Sequence, residues 1–167
     1  MKPSSYFVEH LGLQRHPEGG WYKEVYRSPF ILAKQAINDS FSGDRNLSTS
    51  IYFLLEGDDF SAFHRIKSDE IWNFHAGSSL VIYWIDLNGL IQMRRLGEEL
   101  HSGDSPQVVV PAGCWFAAKP ISPDTYCLVG CSVAPGFDFA DFEMAKRNLL
   151  LREYPEHKDM IFEFTRD

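Results

Sequence analysis

The chain has few cysteines and no pair of them at metal-binding or redox spacing. Among its 167 residues only Cys114, Cys127 and Cys131 carry a thiol. An odd count without a Cys-x-x-Cys pair argues against a disulfide scaffold and against a thiolate zinc site. Cys127 and Cys131 lie four apart in an apolar stretch, so they share one face of a strand and read as packing residues. Basic residues are also scarce: 16 Lys and Arg face 23 Asp and Glu, for a net charge of −7. That balance does not suit a phosphate backbone, and no nucleic-acid partner is expected. No run approaches the roughly 20 apolar residues that span a bilayer, so no membrane partner is expected. The opening ten residues put Glu9 and His10 where a signal peptide carries its apolar run. The expected location is cytoplasmic.

Aromatics, by contrast, are plentiful, with thirteen Phe, seven Tyr and four Trp. They favour strands and line concave ligand sites, and they equally fill the core of a sandwich. The length fits one domain, residues 1–167. A short helix is predicted over residues 4–12, with Ser4 or Ser5 as cap and Gly12 as stop. His16-Pro17-Glu18-Gly19-Gly20 is turn chemistry, and Trp21 to Arg27 alternates as a strand. Residues 33–47 are polar and read as a loop that could be mobile. Strands are then predicted at 49–55, 61–66, 70–75, 79–86, 91–96, 107–110, 114–119 and 125–133. Asn88-Gly89 between two of them is a strong hairpin signal. Short strands with Gly, Pro and Asn turns indicate an antiparallel sandwich or barrel. Phe139, Phe142, Ala145, Leu149 and Leu150 then fall at helical spacing, predicting a helix over 138–152, and a second helical segment follows at 156–164. Both are expected to pack on the outside of the barrel.

The most informative stretch runs from Gly57 to Gly77. Alternation puts His64 and Ile66 on one face of a strand, and Glu70, Trp72 and Phe74 on one face of the strand that returns. His75 has the opposite parity and should face away. In Pro111-Ala112-Gly113-Cys114-Trp115-Phe116, a turn feeds a strand in which Cys114 and Phe116 face together and Trp115 faces oppositely.

These segments resemble the cupin superfamily, whose first motif is Gly-x5-His-x-His-x3-4-Glu-x6-Gly. Gly57 lies one residue further out than that pattern asks, while His64, Glu70 and Gly77 match. The second motif, Pro-x-Gly-x2-His, is matched by Pro111 and Gly113. Four blocks are similar to one uncharacterised branch, the domain-of-unknown-function-985 (cupin_5) family: residues 17–28, 48–55, 64–77 and 111–118. The resemblance implies an all-β double-stranded β-helix, a jelly-roll barrel with helices packed outside, a ligand-sized cavity and a homodimer. It brings no known reaction.

The departures bear on chemistry. Ile66 and Phe116 stand where the superfamily carries two further metal-binding histidines, which leaves His64 and Glu70 of four ligand positions. Catalytic zinc and iron sites usually take three protein ligands. A third from His75, Cys114 or Glu24 would need unusual geometry, and no metal or other cofactor is expected. His64 and Glu70 remain candidates for acid–base catalysis, since imidazole exchanges protons near neutral pH and a carboxylate orients it. Metal-free cupins such as the dTDP-sugar epimerases pair a histidine base with a tyrosine acid. Tyr22, Tyr26, Tyr52 and Tyr83 are candidates for the second role, with Glu24 and Arg27 as charges that orient a substrate. Strict alternation would keep Arg27 off the face shared by Tyr22, Glu24 and Tyr26. The candidate ligand-binding residues are Tyr22, Glu24, Tyr26, Tyr52, Trp72, Phe74, Cys114 and Phe116. Two functions follow: a metal-independent sugar isomerase or epimerase, or a non-catalytic binder of small, carbohydrate-like molecules. A metal-dependent cupin oxygenase or isomerase ranks behind both.

Overall fold

The computed structural model describes residues 2–166. In chain order the strands are β1 (Gln14–Arg15), β2 (Trp21–Arg27), β3 (Ile31–Leu32), β4 (Arg45–Asn46), β5 (Thr49–Glu56), β6 (Ser61–Arg65) and β7 (Asp69–Gly77). They continue as β8 (Leu80–Ile85), β9 (Ile91–Leu96), β10 (Asp104–Ser105), β11 (Gln107–Val110), β12 (Trp115–Pro120), β13 (Tyr126–Ala134) and β14 (Glu143–Met144). Helix α1 spans Ser4–Leu11, α2 spans Arg147–Glu153 and α3 spans Lys158–Glu163.

Two six-stranded sheets form the jelly roll, in the orders β1-β2-β5-β13-β7-β11 and β10-β9-β8-β12-β6-β14. The main core lies between them, built on Phe53, Trp72, Trp84, Phe116, Cys127 and Cys131. Each such large side chain contributes on the order of 1.5–3 kcal/mol by leaving water. Two smaller cores explain why so many strand residues are buried on both faces. Helix α1 packs Phe7, Val8 and Leu11 on Leu54, Tyr126 and Leu128 of one sheet. The C-terminal helices pack Leu150, Ile161 and Phe164 on Phe63, Ile85 and Trp115 of the other. Trp115 thus faces outward while Cys114 and Phe116 face the main core, as alternation requires.

Local chemistry sets the boundaries. Helix α1 ends on Gly12 at φ 64, as expected, but its start has no side-chain cap. Ser4 instead donates to Glu56 on the neighbouring strand. The β8–β9 hairpin pairs Ile85 with Ile91 across the Asn88-Gly89 turn, with Gly89 at φ 79.

The largest departure from sequence expectation is residues 138–152, which are not one helix. A 3-10 turn at Phe139–Asp141 and strand β14 precede α2, which starts only at Arg147. Two forces outweigh the helical spacing. Strand β14 adds to the sheet edge beside β6, and Ala145 N donates to Phe63 O. Phe137, Phe139 and Phe142 also pack edge-on against one another, with ring centroids 5.0–6.0 Å apart. The Asp138 carboxylate caps the 3-10 turn through Ala140 N.

A buried ion pair pins this segment. Arg45 donates to both carboxylate oxygens of Asp141, Nε at 2.6 Å and a terminal nitrogen at 2.7 Å. Both side chains are 5% exposed. The polar stretch 33–47 therefore supplies a structural anchor, and with the short β3–β4 ribbon it is not purely loop. We predict that Asp141→Ala costs about 3 kcal/mol of unfolding free energy in urea melts, because it strands a buried guanidinium. The double replacement Arg45→Met with Asp141→Leu should recover most of that loss. Removing the exposed Arg65–Glu143 pair by Arg65→Ala should cost under about 1 kcal/mol.

Candidate functional site

A cavity of about 360 Å³ opens inside the barrel. Its deep polar wall is Glu18, His64 and Glu70, and its apolar wall includes Phe53, Trp72 and Phe142. The turn before β2 delivers Glu18. Gly19 has φ 115, and any side chain there would collide with the Phe60 carbonyl, so only glycine lets the turn press against the chain entering β6. The Glu18 carbonyl accepts from Ala62 N at 2.9 Å, and the Glu18 carboxyl is turned inward, with the residue 5% exposed.

Strand β6 meets that carboxyl with two groups. Ser61 Oγ donates to Glu18 Oε1 at 2.9 Å, and His64 Nε2 lies 3.0 Å from Glu18 Oε2. Residues three apart on a regular strand face opposite ways. Here the pairing of β12 with β6 shifts register between Phe116↔His64 and Ala118↔Ser61. The resulting bulge turns Ser61 and His64 to the same side.

The hydrogens follow from the partners. His64 Nδ1 is 2.7 Å from the Ala62 carbonyl, which can only accept, so Nδ1 carries the hydrogen. His64 is fully buried between the Phe116 and Phe142 rings, at centroid distances of 4.0 and 5.4 Å. Burial pushes its pKa down to about 3, only partly opposed by the Ala62 bond, and His16 lowers it further. The ring is therefore neutral near pH 7, and its Nε2 lone pair faces Glu18. Burial, and then the neighbouring Glu70, raise the Glu18 carboxyl well above the carboxylate range; the Ser61 hydroxyl opposes them. Glu18 is thus protonated and donates to His64 Nε2. His16 completes the set: its Nδ1 accepts from Glu18 N at 3.3 Å, and burial holds its pKa at about 4.

Glu70 is the second carboxyl. Its pKa is raised to about 7 by burial, opposed by a hydrogen bond from the Cys131 thiol. The two carboxyls occupy different environments, one locked in its acid form and one titrating at neutrality. That separation is how two similar groups come to serve as acid and base.

The structure brings together only part of the set expected from sequence. His64, Glu70, Tyr22, Glu24 and Trp72 line the cavity. Phe116 packs on His64 but is buried behind it, and Cys114 belongs to the core. Phe74 shares the inward face of β7 but lies in the core beyond the cavity. Tyr52 and Tyr83 belong to the outer clusters beneath the N- and C-terminal helices. Tyr26 is 50% exposed. The pairing of β2 with β5 shifts register between Glu24 and Tyr26, and that bulge reverses the expected parity. Tyr26 turns out, and Arg27 joins Glu24 on the cavity side, where the two form a 2.7 Å ion pair. His75 faces away, edge-on to Tyr52 at 5.8 Å.

Sequence reasoning missed Glu18, His16, Ser61 and the aromatic rim from Phe137 to Phe142. Glu18 lies inside the Pro-Glu-Gly-Gly-Trp-Tyr block, which as sequence reads as a turn and as part of a family block but not as a source of a site residue. A glutamate between proline and two glycines had no turn-forming reason to be there, and that was the available signal.

The superfamily implies a metal, and the donors do not fit one. Ile66 and Phe116 are buried apolar residues at two ligand positions. His64 has both ring nitrogens engaged, and Glu18 N occupies His16 Nδ1. His16 Nδ1 and His64 Nε2 both approach Glu18 Oε2, at 3.4 and 3.0 Å, but among the described residues no three His, Cys, Asp or Glu side chains are placed so that they could hold an ion.

Comparison with known proteins agrees with the fold and adds no reaction. An X-ray structure of a Shewanella oneidensis protein superposes with a TM-score of 0.88 at 42% identity, covering 99% of each chain. A hypothetical protein from Leishmania major gives 0.89 at 31%, covering 99% of this chain and all of that one. An uncharacterised protein of Saccharomyces cerevisiae is 32% identical over 144 residues, 80% of this chain and 71% of its own. Oxalate decarboxylase from Bacillus subtilis matches at 0.54 and 13% identity, over 90% of this chain and 36% of that one, which shows the fold alone. Residues 5–145 match the model described as cupin superfamily, DUF985, and the chain belongs to that family, Cupin_5.

Proposed function

We propose that the protein is a proton-transfer enzyme of the isomerase or epimerase kind, independent of metal, acting on a small carbonyl compound. The observation that carries this is the pair of buried carboxyls on one cavity, Glu18 holding a proton against His64 Nε2 and Glu70 titrating near neutrality. A general base works best when its pKa lies near the working pH. Glu70 is that base. It takes the proton from the carbon next to the substrate carbonyl, while Glu18 gives its proton to the carbonyl oxygen. The products of the step are an enol, a Glu70 carboxylic acid and a Glu18 carboxylate still held by Ser61. In an α-hydroxy carbonyl compound, delivery of the Glu70 proton to the former carbonyl carbon, while the neighbouring enediol hydroxyl gives its proton to Glu18 and becomes the new carbonyl, completes an isomerisation. His64, with Nδ1 fixed on Ala62 and Nε2 on Glu18, is a positioning residue that acts through Glu18.

The aromatic wall supports a second reading, a binding protein without turnover, and one experiment separates the two. Dihydroxyacetone and a panel of neutral aldoses and ketoses are incubated in deuterium oxide with the protein, and carbon-bound deuterium is read by NMR. Wild type should exchange at least one compound. Glu70→Gln and Glu18→Gln should each lower the rate by about 100-fold or more. His64→Gln should shift the pH profile of the remaining rate, which a purely structural role would not do. Compounds that stabilise the protein yet never exchange would reject the enzyme in favour of the binder.

Glu70 also makes a stability prediction. Its carboxyl keeps a proton in the folded state up to pH 7 but loses it near 4.5 when unfolded. The folded state therefore binds more protons across that window, and stability falls as pH rises through it. Glu70→Gln removes this component. The difference in unfolding free energy, mutant minus wild type, should rise by about 3 kcal/mol between pH 4.5 and 7 and then level off. A difference that stays flat with pH would show that Glu70 ionises normally.

A further inference from the structure

The lining of the cavity narrows the class of ligand. Glu18, Glu70, Glu24 and Asp138 all line it. Among the described residues on that lining, the one permanently charged cation is Arg27. Its guanidinium has no donor left to offer. Nε donates to Glu24 Oε1 at 2.9 Å and one terminal nitrogen to Glu24 Oε2 at 2.7 Å. The other terminal nitrogen donates to Asn46 Oδ1 at 2.8 Å, and both terminal nitrogens reach the Phe137 carbonyl at 3.2 Å. Those bonds use all of the N–H groups a guanidinium has. Arg27 therefore fastens the aromatic rim to β2. It is not a receptor for phosphate or carboxylate, whose recognition needs a free bidentate fork.

A second observation points to what does bind. Glu18 holds its proton and Glu24 is already neutralised by Arg27, so an ammonium group gains little from either carboxyl. Hydroxyl groups, in turn, suit the carboxyls as donors, and the rings of Tyr22, Phe137 and Phe142 suit the apolar faces of a sugar.

We propose that this cavity takes an uncharged, polyoxygenated small molecule, an unphosphorylated sugar or sugar-like hydroxy-carbonyl compound. The inference rests on the reading that this cavity is the reactive site. It adds that phosphorylated, nucleotide-linked and carboxylated sugars are rejected by charge.

Calorimetric titration of the full chain with matched probes tests it: fructose against fructose 6-phosphate, glucose against glucose 6-phosphate and glucuronate, and glucosamine as the cationic control. A neutral member should bind at least tenfold more tightly than its charged counterparts. Glu24→Gln, at the half-exposed rim, leaves the core intact and loosens Arg27, and should narrow the gap between neutral and phosphorylated members. Tighter binding of a phosphorylated, carboxylated or amino member overturns the proposal, as does binding by no member of the set. Neutral ligands that bind without solvent exchange would overturn the proton-transfer reading and leave this one standing. Exchange confined to phosphorylated members would do the reverse.

Discussion

A carboxyl group has to sit almost dry inside the barrel, and much of the site follows from how that is made tolerable. An ionised carboxylate at the depth of Glu18 would cost several kcal/mol even after relaxation. Keeping the proton removes most of that cost, provided each polar atom finds a partner. Ser61 Oγ supplies a donor to Oε1, and the His64 Nε2 lone pair accepts from Oε2. His64 stays neutral enough to accept because Phe116 and Phe142 enclose it, and its tautomer is fixed because Ala62 O engages Nδ1. If any of these parts is lost, the carboxyl must ionise in a dry site or drag water in.

Two departures from regular strand geometry create the arrangement. The β6 bulge turns Ser61 to the side of His64, and the β2 bulge turns Arg27 to the side of Glu24. Each changes which side chains meet without changing the sheet order. Bulges beside functional groups are a recurrent way to re-aim one residue on an otherwise regular scaffold. The aromatic rim is then tied down at two points, by Arg27 on the Phe137 carbonyl and by Arg45 on Asp141. The cavity is assembled from the turn before β2, the edge of β6 and the segment that follows β13, three parts distant in sequence.

That assembly explains what was legible in the chain. The jelly roll could be read because alternation, turn residues and the Asn88-Gly89 hairpin are local signals, and β8 and β9 fall where those signals put them. His64 and Glu70 could be read because the motif places them inside one hairpin. Glu18 could not be tied to them, since its partners lie 43 and 46 positions further along, and nothing local states that a turn folds against β6. Parity reasoning failed at Tyr26 and Arg27 for a related reason. A bulge is decided by the partner strand, and its inserted residue carries no mark in sequence. The helix expected over 138–152 failed because Phe139 and Phe142, which stand at helical spacing, pack instead on each other and on Phe137 at the cavity mouth.

The chemistry of the site depends on where two protons reside. Carboxyl carbon-13 NMR on protein labelled at the glutamate side-chain carboxyl, with Glu18→Gln and Glu70→Gln used for assignment, reads them directly between pH 4 and 9. The structure predicts that the Glu18 resonance keeps its protonated shift through neutrality, while the Glu70 resonance moves with a midpoint near pH 7. If both carboxyls titrate together near pH 4.5, the site holds no stored proton and the acid–base reading is wrong.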